Sequence, residues 1–181
     1  MRAEHVMFAV VCILTFVIYA ATSSPDLGLV DSGELTTAAW SVGIAHPTGY
    51  PLYVLAGRVW LALCPGSAAR GMVLFSVLLA SMATGLMGII AARLLTPVVS
   101  LSPVMRTLVA GVLAMAFALS RAAWTSISFA EVYPLTWFIA ALLLWFCVRI
   151  EHLPRDRTWL VWSLLACYLW GLGLGNHFTI I

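Results

Sequence analysis

Asp31 and Glu34 stand three residues apart, and His46 and Arg58 follow in the same stretch, DSGELTTAAWSVGIAHPTGYPLYVLAGR. Carboxylates at that spacing can share one face of a helix. They could supply a general base with a second carboxylate beside it, or part of a metal site. Beside a bilayer, desolvation and like charge would raise the pKa of at least one of them, which suits a base. The competing reading is local. An Asp at the N-cap with a Glu three residues on resembles a capping box, in which each carboxylate takes backbone N–H groups. His46 could contact an anionic group or merely fix the turn before Pro47. Arg58 could hold a phosphate in its guanidinium fork, or snorkel to lipid headgroups. Two later clusters share this character: Glu131 with Tyr133 at the start of an apolar segment, and Asn176 with His177 at the end of another. Their plain alternatives are a carboxylate at a helix N-terminus and a polar helix cap after Gly175.

The rest of the chain has to position these groups, and its composition says how. It is 63% hydrophobic and 9% charged, which excludes an ordinary soluble domain and points to an all-α, polytopic transmembrane bundle. The formal net charge is +2, and all nine basic residues are arginines without a run. No nucleic-acid partner and no polybasic lipid patch is therefore expected. The four cysteines match no zinc spacing and read as small packing residues.

About five spans are expected, over residues 6–22, 72–92, 107–119 with its flanks, 134–148 and 159–174. The first reads as a retained helix rather than a signal peptide. Residues 23–70 form the first loop, with a short helix over 32–42 ending near Gly43. A turn follows through His46-Pro47-Thr48-Gly49-Tyr50-Pro51, then a second short helix opened by Pro51. Both short helices are expected to lie in the membrane interface. With a cytoplasmic N-terminus, Arg2, Arg93, Arg106, Arg149, Arg155 and Arg157 fall inside, against Arg58, Arg70 and Arg121 outside. Asp31, Glu34, His46, Arg58, Glu131, Tyr133, Asn176 and His177 then share the external face. Residues 1–181 read as a single transmembrane domain. The closing GLGLGNHFTII looks like the opening of a further apolar stretch, so the chain is expected to be part of a longer protein.

The loop motif resembles the first external loop of a membrane glycosyltransferase family that includes a eukaryotic protein O-mannosyltransferase. The resemblance rests on Asp31-Ser32-Gly33-Glu34, on His46-Pro47-Thr48-Gly49-Tyr50-Pro51-Leu52 and on Gly57-Arg58. It extends to Ala130-Glu131-Val132-Tyr133 and to the helix end from Gly171 to His177. It implies the N-terminal part of a C-type glycosyltransferase, which takes its sugar from a polyprenyl-phosphate donor. The implied function is inverting transfer of mannose or a similar hexose to an acceptor hydroxyl on a protein, lipid or glycan. Asp31 would be the base, assisted or oriented by Glu34. Arg58, His46 and His177 would serve the phosphate or sugar, Glu131 and Tyr133 the sugar hydroxyls, and Asn176 would join the substrate-binding set. Two carboxylates without a fixed third ligand are compatible with a divalent metal but do not demand one, and no other cofactor is implied. The alternatives are a lipid-linked-sugar flippase or transporter, and a non-catalytic membrane assembly subunit. A bacterial inner membrane, with the site facing outward, is the expected location.

Overall fold

The computed structural model describes residues 2–28, 31–64 and 66–177. Among the described residues eight helices run in order: α1 (Arg2–Thr22), α2 (Ser32–Ser41), α3 (Pro51–Leu63), α4 (Ala68–Leu94), α5 (Pro103–Ala118), α6 (Arg121–Ile127), α7 (Tyr133–Glu151) and α8 (Arg157–Leu174). Their starts follow local chemistry. Ser67, Ser102, Ser120 and Asp156 each accept a backbone N–H with the side chain at the N-cap of α4, α5, α6 and α8. Proline stands in the first turn of α3, α5 and α7, where a missing N–H is harmless. The helix expected over 32–42 stops one residue earlier, because Val42 turns left-handed at its C-cap (φ 54°).

Helix α4 is the hub. It is apolar between Arg70 and Arg93 and buried over most of its length, with α1, α5 and α7 packed along it. Small residues permit that approach: Ser76, Ala80, Ser81, Ala83, Thr84, Gly85 and Gly88 lie on it in one run. The Cys12 thiol donates to the Ser81 carbonyl at 3.4 Å, fixing α1 against it. One apolar cluster joins α2, α3, α4 and α7 through Leu35, Tyr53, Met72, Phe75, Leu135 and Ile139. Within it Gly57 lets three helices meet. A Cβ there would lie 3.1 Å from Ala39 Cβ and 2.7 Å from Met72 Cε.

Among the described residues the span count is lower than five. Three helices there are long and apolar enough to cross a membrane: Ala3–Thr22, Ala68–Leu94 and Tyr133–Glu151. A fourth arises only if α5 and α6 count as one broken span, since they are bent by 62° at Leu119-Ser120. The Ser120 cap starts a new helix there rather than extending the old one. Helix α8, the expected fifth span, does not join them. It opens on Arg157, and Trp159, Trp162 and Trp170 dilute its aliphatic content.

One end of the bundle is tied together by polar groups. Arg70, in the first turn of α4, donates to the Ala20 and Ser24 carbonyls and to Ser23 Oγ, satisfying the open carbonyls where α1 ends. The Ser24 N–H reaches the Ser128 carbonyl, and the Leu52 N–H reaches the Gly175 carbonyl. The exits of α1, α6 and α8 and the entries of α3, α4 and α7 therefore meet at this end.

Candidate active site

Asp31 occupies the N-cap position of α2 but forms no cap bond. Asp156, at the same position of α8, does cap, accepting from the Thr158 and Trp159 N–H groups. Glu34 does not close a capping box either. Its Oε1 accepts the His46 backbone N–H at 2.5 Å, and its Oε2 lies 3.0 Å from His46 Nδ1. The capping expectation is thus overturned. The local pattern is present, but the turn at His46 offers Glu34 two donors that outcompete one helix-terminal N–H.

Those two bonds hold the Glu34 carboxyl below its ordinary value, His46's ring N–H first and its backbone N–H second. A depressed carboxyl contributes above the unfolded value, and its contribution is lost as pH falls through the lowered one. Of the pair expected to have at least one raised carboxyl, Glu34 is lowered instead. The carboxyl that burial raises is Glu131, with the Asp31 charge as the next cause. Its protonated form is favoured by the fold, so its burial becomes more costly as pH rises through the raised value.

Glu131 is placed by the hub helix. The buried Ser76 hydroxyl accepts the Glu131 N–H at 3.2 Å and faces its carbonyl at 3.4 Å. Asp31, His46, Glu131 and Tyr133 then line one cavity of about 210 Å³, walled by Leu35, Tyr50 and Val132. Glu34 stands behind His46, outside that lining. His177 comes in from the end of α8, its ring stacked on Tyr50 at 5.9 Å and tilted against Tyr133 at 5.7 Å.

The other two sequence candidates sit differently. The Asn176 side chain is buried, and its amide nitrogen donates to the Val132 carbonyl (3.1 Å) and Thr136 Oγ1 (2.8 Å). It clamps α8 to the start of α7 and so fixes the Glu131–Tyr133 turn. Arg58 donates to the Trp40 carbonyl at 3.1 Å and lies 5.5 Å over the Trp40 ring. That is the far end of α2 from Asp31, ~13 Å along the helix at 1.5 Å per residue.

Sequence reasoning missed Ser76 and Tyr50. Ser76 carries no signal, being one hydroxyl in an apolar helix. Tyr50 had a faint one: a bulky residue between Gly49 and Pro51, in a turn that forces it left-handed (φ 45°). The third metal ligand that the sequence lacked is supplied in space by His46. Asp31, Glu34 and His46 each offer one ligand atom, all within 4.8 Å of one another. Both His46 ring nitrogens already have partners, however, Nδ1 with Glu34 and Nε2 with Tyr50. A divalent cation would have to displace one of them.

Residues 31–181 match the family described as the protein O-mannosyl-transferase TMEM260 N-terminal domain, a stretch that begins at Asp31 and holds every lining residue. The chain belongs to this family. It is 36% identical over 154 residues to the mouse protein O-mannosyl-transferase TMEM260, covering 83% of this chain and 20% of that protein. It is 37% identical over 51 residues to the Dictyostelium discoideum protein of the same name, covering 28% of this chain and 6% of the relative. The chain thus spans about a fifth or less of the curated relatives it matches. Both relatives are eukaryotic, so the bacterial inner-membrane expectation finds no support, while the apolar helices remain those of a membrane protein. No solved structure matches the chain.

Proposed function

We propose that the chain carries the catalytic wall of an inverting mannosyltransferase that draws on a polyprenyl-phosphate donor at the external face of a membrane. The observation that carries this reading is Asp31, a carboxylate in a capping position that does not cap and instead faces the cavity beside Glu131 and His46. The family membership and the relatives' names support the sugar and the transfer.

Asp31 takes the proton of the acceptor hydroxyl as its oxygen bonds to the anomeric carbon. The bond from that carbon to the donor phosphate breaks, and the phosphate leaves with the electron pair. Phosphate is a good leaving group, so it needs charge stabilisation more than a proton. Glu34 does not touch the cavity; it orients His46. Glu131 lines the cavity and can hydrogen-bond a sugar hydroxyl, and Tyr133, half exposed at the rim, can meet a sugar ring. The cavity is smaller than the about 300–1,000 Å³ of drug-sized sites, which fits one ring of a larger ligand. The donor's lipid and the acceptor would extend beyond it.

The donor class is tested with the full-length protein in membranes, offering labelled mannose on a polyprenyl phosphate or on a nucleotide diphosphate, with a hydroxyl-bearing peptide. Transfer from the lipid donor alone is expected. Equal use of the nucleotide donor would remove the lipid-phosphate reading, and movement of the lipid-linked sugar across the bilayer without transfer would establish the transporter.

A second expectation concerns Glu131. Glu131→Gln keeps a hydrogen-bonding side chain of the same shape in place and is expected to retain most of the rate, whereas Glu131→Ala should raise the donor KM about tenfold, the worth of one hydrogen bond. Equal loss in the two variants would mean that Glu131 acts as a charge.

A further inference from the structure

We propose that α3 is a lipid-docking element. It lies in the bilayer interface on the side of the site, turns Leu55, Val59 and Leu63 to the acyl chains, and presents Arg58, backed by Trp40, to a phospholipid phosphate. The inference stands apart from the roles proposed for Asp31 and Glu131.

The depth of α3 follows from α4. From Arg70 to Arg93 that helix is uncharged and ~35 Å long at 1.5 Å per residue, close to the ~30 Å of a bilayer's hydrocarbon core. Gly71 to Phe75 then stand at the edge of that core, and it is there that α3 packs. Trp60 Nε1 donates to the Gly71 carbonyl at 2.8 Å, and Gly57 sits against Met72. The Phe75 ring meets Tyr53 at 5.8 Å and Trp60 at 6.0 Å. Tyr53 and Trp60 are ~10 Å apart along their helix, yet both reach one ring. Helix α3 therefore crosses α4 instead of running down it. Its 13 residues reach only ~20 Å, too short to span.

One face of α3 buries Tyr53, Val54, Gly57 and Leu61. The opposite face is apolar too: Leu55, Val59 and Leu63 are 56%, 61% and 73% exposed. A helix apolar all round belongs in an apolar medium. The exposed positions of α2, in contrast, include Glu34, Thr37 and Ser41, which suit water. The two short helices, both expected at the interface, thus divide: α3 offers lipid an apolar stripe, and α2 keeps a polar edge as far as Trp40.

Arg58 is the one charge on α3 and stands within the exposed stripe. Its guanidinium lies over the Trp40 ring, and Nη1 donates to the Trp40 carbonyl. That carbonyl is its one hydrogen-bond acceptor among the described residues, so most of the fork's N–H donors are left for a phosphate. Tryptophan and a snorkelling arginine are the side chains that hold a helix at headgroup level. Arg58 lines no part of the site cavity, which favours a phosphate of the bilayer over that of the donor.

The test uses full-length protein in phosphatidylcholine vesicles, with a spin-labelled amino acid placed singly at residue 37, 55 or 59. Oxygen gathers in lipid and a nickel chelate stays in water, so the ratio of their effects on each label reads its surroundings. The oxygen-to-nickel ratio is expected to be several-fold higher at residues 55 and 59 than at 37. Labels at 55 and 59 open to nickel would place the stripe in water and overturn the proposal. Labels closed to both reagents would show a protein cover and overturn it as well. Arg58→Leu removes the charge that keeps α3 at the headgroups, and should raise the ratio at residue 59 further as the helix sinks. No change there would overturn the phosphate contact. A change seen only once polyprenyl-phosphate mannose is added would give the phosphate to the donor and overturn it too. None of these readouts depends on transfer, so a failed assignment of Asp31 would leave them standing.

Discussion

Asp31→Asn in the full-length protein is expected to lower mannose transfer by about 10²–10⁴-fold, the usual contribution of a positioned base, with donor binding retained. The size of the effect follows from what the substitution leaves untouched. Asn is nearly the same shape, and the native carboxylate makes no cap bond to lose, so α2 should fold as before. Glu34 cannot stand in, because both of its oxygens are engaged by His46 and it stands outside the cavity. Glu34→Gln should therefore act differently. It weakens the bond to the His46 turn and should cost a smaller factor, through a less ordered ring. The check is single-turnover transfer with bound donor, alongside a donor-binding measurement. A normal rate in Asp31→Asn would return Asp31 to the role of a helix end.

Gly57→Leu is expected to destabilise the α2–α3–α4 cluster and with it the site. A Cβ at residue 57 already falls 3.1 Å from Ala39 Cβ, on a helix backbone that cannot give way freely. Overpacking of this kind costs about 1–3 kcal/mol, enough to loosen α2 and the turn that His46 anchors. The second contact, 2.7 Å to Met72 Cε, is with the flexible end of a side chain. Met72→Ala should consequently restore part of the loss in Gly57→Leu, although by itself it removes buried contacts. Thermal unfolding in detergent, read for the two single variants and the double, checks this. Purely additive losses would show that the two sites do not share the space.

Much of the architecture was legible because it rests on local rules. Apolar length marks α1, α4 and α7, and Pro51 opens α3 where its fixed φ suits a first turn. What local rules could not show was where a side chain turns once two partners are offered. The Asp31–Glu34 spacing fits a capping box, yet Glu34 bonds to a residue twelve positions on, and only the fold brings His46 there. The shared location of the loop, Glu131 and His177 was readable from the alternation of apolar segments. The division of labour among them was not. Asn176, expected among the substrate-binding residues, also clamps α8 to α7, and Ser76, for which no role was expected, places Glu131. Arg58 lay in the right motif, but it closes the opposite end of α2 on Trp40. The expected fifth span falls short on composition: Arg157 and the tryptophans of α8 lower its aliphatic content.

The anomeric configuration of the product tests the central claim most directly. Of the two carboxylates that line the cavity, the proposal makes Asp31 the base and gives Glu131 to the sugar hydroxyls, which allows one displacement and no covalent sugar–enzyme intermediate. Mannose transferred from a donor of known anomer to a peptide hydroxyl, with the new linkage read by NMR, should show the opposite configuration. Retention of the donor's configuration would require a second displacement and a nucleophile, and would contradict the assignment of Asp31 as a general base.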